Sequence, residues 1–528
     1  MWVEIDLTSL DIRQEGLSRQ EAGKRCLYVT PGCARLTSIR DLKDAEYAIA
    51  VEIDRGERRV SFGRDYLGLY PLVYAVTRDR LFLSDIHAHV ADWLRQMRVA
   101  VSVSEEALGL YFAAGYVPHG QSIFEQLHVC ENVSLYHWKA GVIRRESLFE
   151  PISEDDRFPL AELGACIEAE VVKCAAMSQE IDVWCSGGID SSVMAHCFNS
   201  QGRKADLLTL GYGEEITSIY GDGEIRFVKE MQQRCGAPIR YAELDWATYR
   251  ASYDDFTHHH LSPVIDPYVP AKYALAAATR NLAITGEGGD PLFAGVKNNM
   301  VLYVQERMPT LPFGWLYALS HHRFAEQLEE IFVHGTELKS FVSDYFERQF
   351  NLYPGSTLRR LFYMNTLGKQ GGLIFPTEHY AAGRYGIQCR HPLTALSVYN
   401  AAFRLTDDKK YRYPLGKLAL IDLYRNHLPT SIMQRKKSGT RLSLNYYVER
   451  LIPGRAEFPA LAETALFRPE FLARMADPEM KTTNPMLIYA LHTLNAWLTH
   501  HGENEYEHAQ SVSAKTDHFQ RPDAGATV

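Results

Sequence analysis

The chain has 528 residues, of which 46% are hydrophobic, 23% charged and 11% aromatic. This is the composition of ordinary folded domains, and it excludes a wholly disordered, collagen-like or coiled-coil protein. The formal net charge of −9 leaves no overall basic field, so neither nucleic acid nor an acidic membrane surface is expected as a partner.

The cysteines and the apolar segments indicate in which cellular compartment the protein is found. Nine cysteines are an odd number without a Cys-x-x-Cys pair, which is typical of reduced thiols in a cytosol. The first residues are acidic and polar where a secretion signal has a basic start and an apolar stretch. No window approaches the roughly 18–20 apolar residues of a membrane span. We therefore expect a soluble, cytoplasmic protein.

Residues 1–155 are predicted to be rich in β-strands. Short alternating apolar segments, such as YAIAVEI and PLVYAV, are separated by turn residues that include Asp54 and Gly56. A charged stretch with Pro159 follows, and helical periodicity begins after it. We therefore place a domain boundary near residue 155.

Beyond this boundary strands alternate with helices, which predicts a parallel sheet in an α/β domain. IDVWC is predicted to be a buried strand, SSVMAHCFNSQG a helix, and ADLLTLGY the next strand. From about residue 297 the pattern is mostly helical. The sequence thus predicts two folded domains, at 1–155 and 156–505, and a tail at 506–528 that is expected to be disordered because it has few large apolar residues.

The loop after IDVWC carries the most informative motif. Two glycines allow backbone amides to approach an anion, and the following helix N-terminus adds a positive dipole, so a polyphosphate fits there. The loop is neither a Walker motif nor a dinucleotide fingerprint, since Gly-Lys-Ser/Thr and G-x-G-x-x-G are both missing. Its residues are Ser186, Gly187, Gly188, Ile189 and Asp190, and a carboxylate beside phosphate requires Mg²⁺ to avoid repulsion.

The string SGGIDSS resembles the SGGxDS signature of the PP-loop ATP pyrophosphatases, and within that group the chain resembles the asparagine synthetase family. LAITGEGGDPLFAG is similar to that family's second loop, and RKKSG at 435–439 to its R-x-K-x-G segment. Upstream, SFGRDYLGLYPLVYA is similar to the core of its glutamine amidotransferase domain. The resemblance implies an α+β, Ntn-hydrolase-like sandwich followed by an α/β PP-loop synthetase domain, which is adenine nucleotide α-hydrolase-like and has a helical C-terminal part.

The resemblance also indicates that the N-terminal domain is degenerate. Active glutaminases of this class use a cysteine at the mature N-terminus, whose own α-amine serves as the base. Here position 2 is Trp2, and the first cysteine, Cys26, lies far inside the chain. We therefore expect no glutamine hydrolysis.

ATP and Mg²⁺ are the cofactors that the resemblance implies. One departure affects the metal, because Pro291 follows Asp290 where the family usually has a second acid. Carried over residue by residue, the family's roles assign the ATP phosphates to Ser186, Gly187, Gly188, Asp190 and Ser191, the border of the adenosine to Thr285 and Gly286, and Mg²⁺ to Asp190 and Asp290.

Three residues carry the implied catalysis. Lys437 resembles the lysine that stabilises the pentacoordinate phosphorus and then the oxyanion, and Arg435 would neutralise the departing pyrophosphate. Glu287 is our candidate general base for the amine, with a structural alternative in which it bonds loop amides. Lys417 is equally compatible with a phosphate ligand and an ordinary helix-surface lysine.

Other polar residues receive weaker interpretations. Asp222 and Glu224 resemble the family's acidic pair after the second strand, and Asp266 is a candidate for the substrate pocket. The run from His258 to His260 does not predict zinc, because consecutive side chains point in different directions on any regular element.

Without a glutaminase cysteine, the amine is either free ammonia or a group on the substrate. β-Lactam synthetases and lasso peptide cyclases resemble asparagine synthetase and lack the cysteine. β-Lactam synthetases have Tyr at the position of Glu287, which argues against the β-lactam branch. We therefore expect a lasso peptide cyclase, which adenylates a carboxylate with release of AMP and pyrophosphate and closes a macrolactam with a peptide's N-terminal amine. A leader peptidase and a precursor-recognition protein are its expected partners. Two alternatives stay open: an ammonia-dependent ligase acting on aspartate or another small acid, and a homologue without turnover.

Overall fold

The N-terminal part of the chain consists mainly of β-strands. The computed structural model describes residues 1–31, 36–200, 202–212, 225–435 and 444–502. One unit comprises Met1–Ser104, His119–Glu150 and the described residues from Leu498 onward, and a second comprises Glu105–Pro118 and Pro151–Trp497. The strands of the first unit are β1 (Trp2–Asp6), β2 (Ile12–Glu15), β3 (Ser18–Ala22), β4 (Arg25–Val29), β5 (Ile49–Asp54), β6 (Arg59–Arg64), β7 (Val73–Val76), β8 (Arg80–Ser84), β9 (His128–Val129), β10 (Ser134–Lys139) and β11 (Val142–Ser147).

These strands form two antiparallel sheets, in the orders β2-β1-β8-β7-β9 and β11-β10-β6-β5-β4-β3. In β1, the buried Val3 and Ile5 alternate with partly exposed residues, as expected of a strand that covers a core on one face. The same hydrophobic core takes Val51 and Phe62 from the second sheet. The predicted N-terminal sandwich is therefore confirmed.

The second unit contains a five-stranded sheet in which every neighbouring pair is parallel. Its strands are β12 (Ile181–Trp184), β13 (Ala205–Gly211), β14 (Ile239–Glu243), β15 (Leu282–Ile284) and β16 (Gln388–Arg390). Their order is β14-β13-β12-β15-β16, so the chain first extends the sheet on one side of β12 and then returns to its other side. The predicted parallel sheet is confirmed, and ligands of open α/β sheets bind where the strand order reverses, here beyond the ends of β12 and β15.

Helices make up most of the remaining described residues. In chain order they are α1 (His87–Gln96), α2 (Glu105–Ala114), α3 (Leu160–Ala175), α4 (Ile189–Ser200), α5 (Ile225–Cys235), α6 (Trp246–His259), α7 (Val269–Ala278), α8 (Gly289–Leu292), α9 (Val296–Arg307), α10 (Phe313–Leu319), α11 (Leu328–Ile331), α12 (Gly335–Phe350), α13 (Thr357–Tyr363), α14 (Phe375–Tyr385), α15 (Leu396–Arg404), α16 (Leu418–Tyr424), α17 (Thr430–Met433), α18 (Leu444–Leu451), α19 (Pro459–Glu463), α20 (Pro469–Met475), α21 (Met480–Thr483) and α22 (Pro485–Gly502). Short 3₁₀ turns lie at Ile39–Asp44, Ala325–Gln327, Pro392–Thr394 and Asp407–Lys409, and a π-helix at Met364–Ile374 leads into α14.

Helical periodicity explains how these helices pack. In α3, the buried Leu163, Ile167 and Val171 recur every four residues and form one apolar face. Among the helices of the described residues, we find none that is both long and apolar enough to cross a membrane. The predicted tail at 506–528, Asp222, Glu224 and Lys437 lie outside the described residues.

Candidate active site

The loop between β12 and α4 is closed by hydrogen bonds from its own residues. The Ser191 hydroxyl accepts a bond from the Ser186 amide and donates one to the Gly188 carbonyl, both at 3.2 Å. Gly187 has a φ of +68°, and a Cβ there would overlap with Phe227, so this position requires glycine. The loop thus gathers the predicted phosphate-binding residues at the end of one buried strand.

The loop after β15 lies directly against the first. A Cβ on Gly286 would be 2.6 Å from the Ser191 amide nitrogen, and a Cβ on Gly289 would overlap with the Asp190 carboxylate. Only glycine allows the two backbones to come this close. Thr285, at the end of β15, has its Oγ1 2.8 Å from Nδ1 of His391. The two predicted ATP-binding segments therefore form one continuous surface.

Asp190 and Asp290 meet at a lysine. Lys417 Nζ is 2.7 Å from Asp290 Oδ1 and forms a second, short ion pair with Asp190. The backbone of Lys417 has a φ of +58°, and its amide donates to the Phe293 carbonyl at 2.6 Å. Burial lowers the pKa of the Lys417 ammonium, but the two carboxylates more than offset this and raise it above its usual value. The lysine is therefore charged, and we find it inside the site rather than on a helix surface.

These carboxylates form a donor set that fits Mg²⁺. Magnesium binds few carboxylates together with phosphate oxygens and water, and Asp190 and Asp290 supply hard oxygen ligands from two different strand ends. In this structure Lys417 balances their charge. A magnesium ion would replace Lys417 at these two carboxylates.

A second lysine lies between the carboxylates of Glu287 and Glu378. Lys272 Nζ, on α7, is 2.9 Å from Glu287 Oε1 and 2.6 Å from Glu378 Oε1, on α14. Burial raises the pKa of Glu287, but the Lys272 ammonium outweighs it and leaves this pKa below its usual value. Glu287 is therefore ionised, as a general base must be.

Glu378 is the most enclosed member of this group. Its Oε2 is 3.1 Å from Nδ1 of His391 and 3.8 Å from the Sγ of Cys389. Burial raises the pKa of Glu378 to about 7, against the opposing effect of Lys272. Burial also lowers the pKa of His391 to about 3, so the imidazole is neutral. Glu378, Cys389 and His391 are all buried.

The other predicted residues have the following positions. Arg435 Nη1 donates to the Ser186 carbonyl at 3.3 Å, and its guanidinium lies 4.5 Å from the centre of the Phe227 ring, so it borders the first loop. The Asp266 carboxylate accepts from the Tyr268 amide at 2.9 Å, just before α7. The residues of the histidine run have separate partners: Asp254 for His258, Asp255 for His259, and Ser262 with Thr377 for His260.

Sequence reasoning missed Lys272, Glu378 and His391 and left Lys417 undecided. A signal for two of them existed, because Lys272 stands in the apolar segment AKYALAAA, and Glu378 lies next to a buried stretch of α14. A charged side chain inside an apolar helix face is rarely buried without a partner. The identity of each partner could not be predicted in this way.

Known proteins match the same region. The family described as asparagine synthase matches residues 164–499, which include both loops and both lysines. Curated proteins from Mycobacterium bovis and Mycobacterium tuberculosis, provisionally named as glutamine-hydrolyzing asparagine synthetases, are 23% identical to the chain over 275 residues. The match covers 50% of this chain and 41% of each relative, so it spans less than half of their length.

Proposed function

The chain belongs to the asparagine synthase family, and from this premise we propose that it is an ATP-dependent carbon–nitrogen ligase that forms AMP and pyrophosphate. The enzyme adenylates a carboxylate and then forms an amide by attack of an amine on the acyl-adenylate. We propose that both groups belong to one peptide: an acidic side chain is activated, the N-terminal amine attacks it, and a macrolactam of the lasso peptide type closes.

One observation carries this proposal. The loop after β15 contributes both to the ion pair of Asp290 with Lys417 and, three positions earlier, to that of Glu287 with Lys272. The first pair suits phosphate and metal, and the second holds an ionised carboxylate suited to deprotonating an amine. Because one short loop joins these two chemistries, activation and aminolysis would occur side by side.

Adenylation would be performed at the two touching loops. Backbone amides of Gly187 and Gly188 and the Ser186 hydroxyl would hold the phosphates of ATP at the start of α4. Asp190 and Asp290 would hold Mg²⁺, which when bound supplies positive charge to the phosphates and to the leaving pyrophosphate. Lys417, released from its carboxylates, and Arg435 would add further positive charge there. Lys437 keeps its proposed role beside the reacting phosphorus.

Aminolysis would follow at Glu287. The amine nitrogen attacks the acyl carbon, a C–N bond forms, and the bond to the adenylate oxygen breaks so that AMP leaves. The Glu287 carboxylate accepts the proton that the amine loses. The same chemistry would serve a free ammonia molecule or an amine that belongs to the substrate.

The first unit favours an amine supplied by the substrate. Cys26 lies within β4, and Cys130 is completely buried, so neither combines a thiol with its own α-amine. Burial raises the pKa of the Cys130 thiol well above its usual value. We therefore propose that neither of these described cysteines hydrolyses glutamine. We further propose that the enzyme works in the cytoplasm with a leader peptidase and a precursor-recognition protein.

The test is exchange of labelled pyrophosphate into ATP. One reaction contains peptides with a free N-terminus and a single Asp or Glu, and the other contains aspartate with ammonium. We expect exchange with a peptide, together with a product lighter by one water molecule. Exchange with aspartate alone would assign the chain to the ammonia-dependent ligases, and ATP binding without exchange in either reaction would make it a homologue without turnover.

A further inference from the structure

The partly exposed Glu287 and the enclosed Glu378 share a single ammonium. The side chain of Lys272 is 9% exposed and that of Glu378 1%, and Lys272 Nζ contacts Oε1 of both Glu378 and Glu287. The neighbouring His391 is neutral because burial lowers its pKa to about 3. With both glutamates ionised, the cluster would carry one uncompensated negative charge, and the part of it on Glu378 would lie away from water. Such a charge is costly, so one carboxyl group takes up a proton unless the pH is raised.

The hydrogen bonds show which carboxyl group can hold that proton. Glu378 Oε1 accepts from Lys272, while Oε2 lies 3.1 Å from Nδ1 of His391. When the neutral imidazole carries its own proton on Nε2, Nδ1 accepts a hydrogen bond from a protonated Oε2. Glu287, in contrast, lies in the loop that faces the proposed substrate and has 31% of its side chain exposed. The two glutamates are therefore unequal: one is exposed to the reactants, and the other is enclosed.

We propose that Glu378 is the final acceptor of the proton that Glu287 takes from the attacking amine, and that Lys272 is the positioning residue through which the two carboxylates exchange it. The inference rests on the amide-forming function proposed above and adds to it where the proton goes. Lys272 gives one of its protons to Glu378 and takes one from Glu287, so it ends with the same charge. The amine proton has then moved from nitrogen to Glu378, and Glu287 is again ionised.

The groups facing Glu378 come from every element packed around it. α7 contributes Lys272, the loop after β15 contributes Glu287, and the β16 segment contributes Cys389 and His391. Directly after α6, the buried His260 bonds Thr377, next to Glu378, and burial lowers the pKa of His260 to about 4. Lys272 is thus the cation in contact with Glu378 among the described residues.

A metal ion is a poorer explanation of the same cluster. Oxygen, sulfur and nitrogen ligand atoms of Glu378, Cys389 and His391 lie within 4.8 Å of one another. A thiol must ionise to bind a metal, however, and burial together with Glu378 raises the pKa of Cys389 well above its usual value. The Lys272 ammonium also lies against Glu378 and would repel a cation. Proton storage requires neither an ionised thiol nor displacement of the lysine.

The first experiment needs no substrate. A protonated carboxyl group absorbs in the infrared apart from ionised carboxylates, and between about pH 5.5 and pH 8.5 ordinary carboxyl groups are already ionised. Burial also raises the pKa of Asp65 to about 6, so that its carboxyl group contributes a band that titrates lower. We expect a second carboxyl band in the full-length wild-type protein that disappears with a midpoint near the Glu378 pKa of about 7. The band should be absent from Glu378→Gln and retained in the matched control Glu329→Gln, which removes an exposed lysine-paired glutamate. A wild-type protein without the band that titrates near pH 7, or persistence of that band in Glu378→Gln, would overturn the proposal.

The second experiment compares two steps of the reaction as the pH changes. Because Glu378 must be ionised to accept a proton, the rate of amide formation should rise with pH through about 7 and then level off. Glu378→Gln should slow amide formation by about 10-fold or more and remove this rise, while pyrophosphate exchange stays within about twofold. Lys272→Arg, which keeps the charge but changes the geometry, should slow amide formation in the same selective way.

The outcomes distinguish failure of this inference from failure of the proposed ligase function. An unchanged pH profile in Glu378→Gln, with normal exchange, would contradict the role of Glu378 while leaving the ligase intact. If the wild-type protein exchanges no pyrophosphate with any substrate, the proposed ligase function is wrong, and the infrared band then decides by itself whether Glu378 stores a proton.

Discussion

The second unit contains two lysines that each bridge two carboxylates, and their surroundings differ. Lys417 lies between Asp190 and Asp290, and the Asp290 side chain is 46% exposed. Lys272 bonds Glu378, whose side chain is 1% exposed. We call Lys417 with Asp190 and Asp290 the open pair, and Lys272 with Glu378 the closed pair. Water and a ligand can reach the open pair, so its lysine can be exchanged for another cation, whereas the closed pair can respond to a change of charge only by binding or releasing a proton.

The largest effect is expected when a carboxylate of the open pair is neutralised. Asp190→Asn removes one of the two charges that would hold Mg²⁺, so pyrophosphate exchange should fall by at least about 10²-fold. The matched control is Asp422→Asn on α16, an exposed position that pairs with Arg425. Full exchange in Asp190→Asn would show that the open pair is not the site of ATP activation.

The next largest effect separates the two pairs from each other. Glu287→Gln keeps the shape of the side chain but cannot accept a proton, so amide formation should slow by about 10²–10⁴-fold. Pyrophosphate exchange should change by only about threefold, because the open pair is left intact. Both rates are measured on one preparation with the peptide that supports exchange. An equal loss of both would mean that Glu287 holds the loop in shape instead of accepting a proton.

A smaller effect appears in stability, because the enclosed Glu378 binds its proton more tightly in the folded protein. Its pKa is raised from 4.5 to about 7, so the stabilisation is complete below about pH 4.5 and is lost as the pH rises through 7. Over that range the free energy of unfolding should fall by up to about 3 kcal/mol. Urea unfolding at several pH values measures this loss, which should be missing in Glu378→Gln and present in Glu329→Gln. Equal slopes in wild type and Glu378→Gln would show that the closed pair stores no proton.

The open pair was largely predictable from the sequence. Two motifs, each following a predicted strand of one parallel sheet, have to meet because the carboxyl ends of parallel strands lie at the same edge. The family resemblance assigned Asp190 and Asp290 to one metal ion, and this rule gives the physical reason why the two residues lie close together. The position of Lys417 could not be predicted in this way. Lys417 has a left-handed backbone conformation directly before the short helix α16, and only tertiary packing directs its side chain inwards.

The closed pair was not predictable in the same way. Lys272 and Glu378 are 106 residues apart and lie on two helices, α7 and α14. Helical periodicity tells which face of each helix is buried, but not which residue of another helix lies opposite. The insertion of the π-helix Met364–Ile374 directly before α14 also changes the register of the Glu378 side chain, and nothing in the sequence pattern indicated it.

The smallest predicted effect tests whether α14 can be strengthened without disturbing the closed pair. Gly383 is an exposed residue of α14, and a Cβ added there would meet no atom within 4 Å. Gly383→Ala should therefore stabilise the protein by about 0.5–1 kcal/mol, because alanine restricts the unfolded chain and favours the helix. The dependence of unfolding on pH should stay that of the wild type, since Glu378 keeps its contacts with Lys272 and His391. Gly289→Ala is the informative contrast, because its Cβ would overlap with the Asp190 carboxylate and should impair exchange. If Gly383→Ala instead changed how the free energy of unfolding varies with pH, the pKa of Glu378 would depend on the conformational flexibility of α14 as well as on the buried neighbours of Glu378.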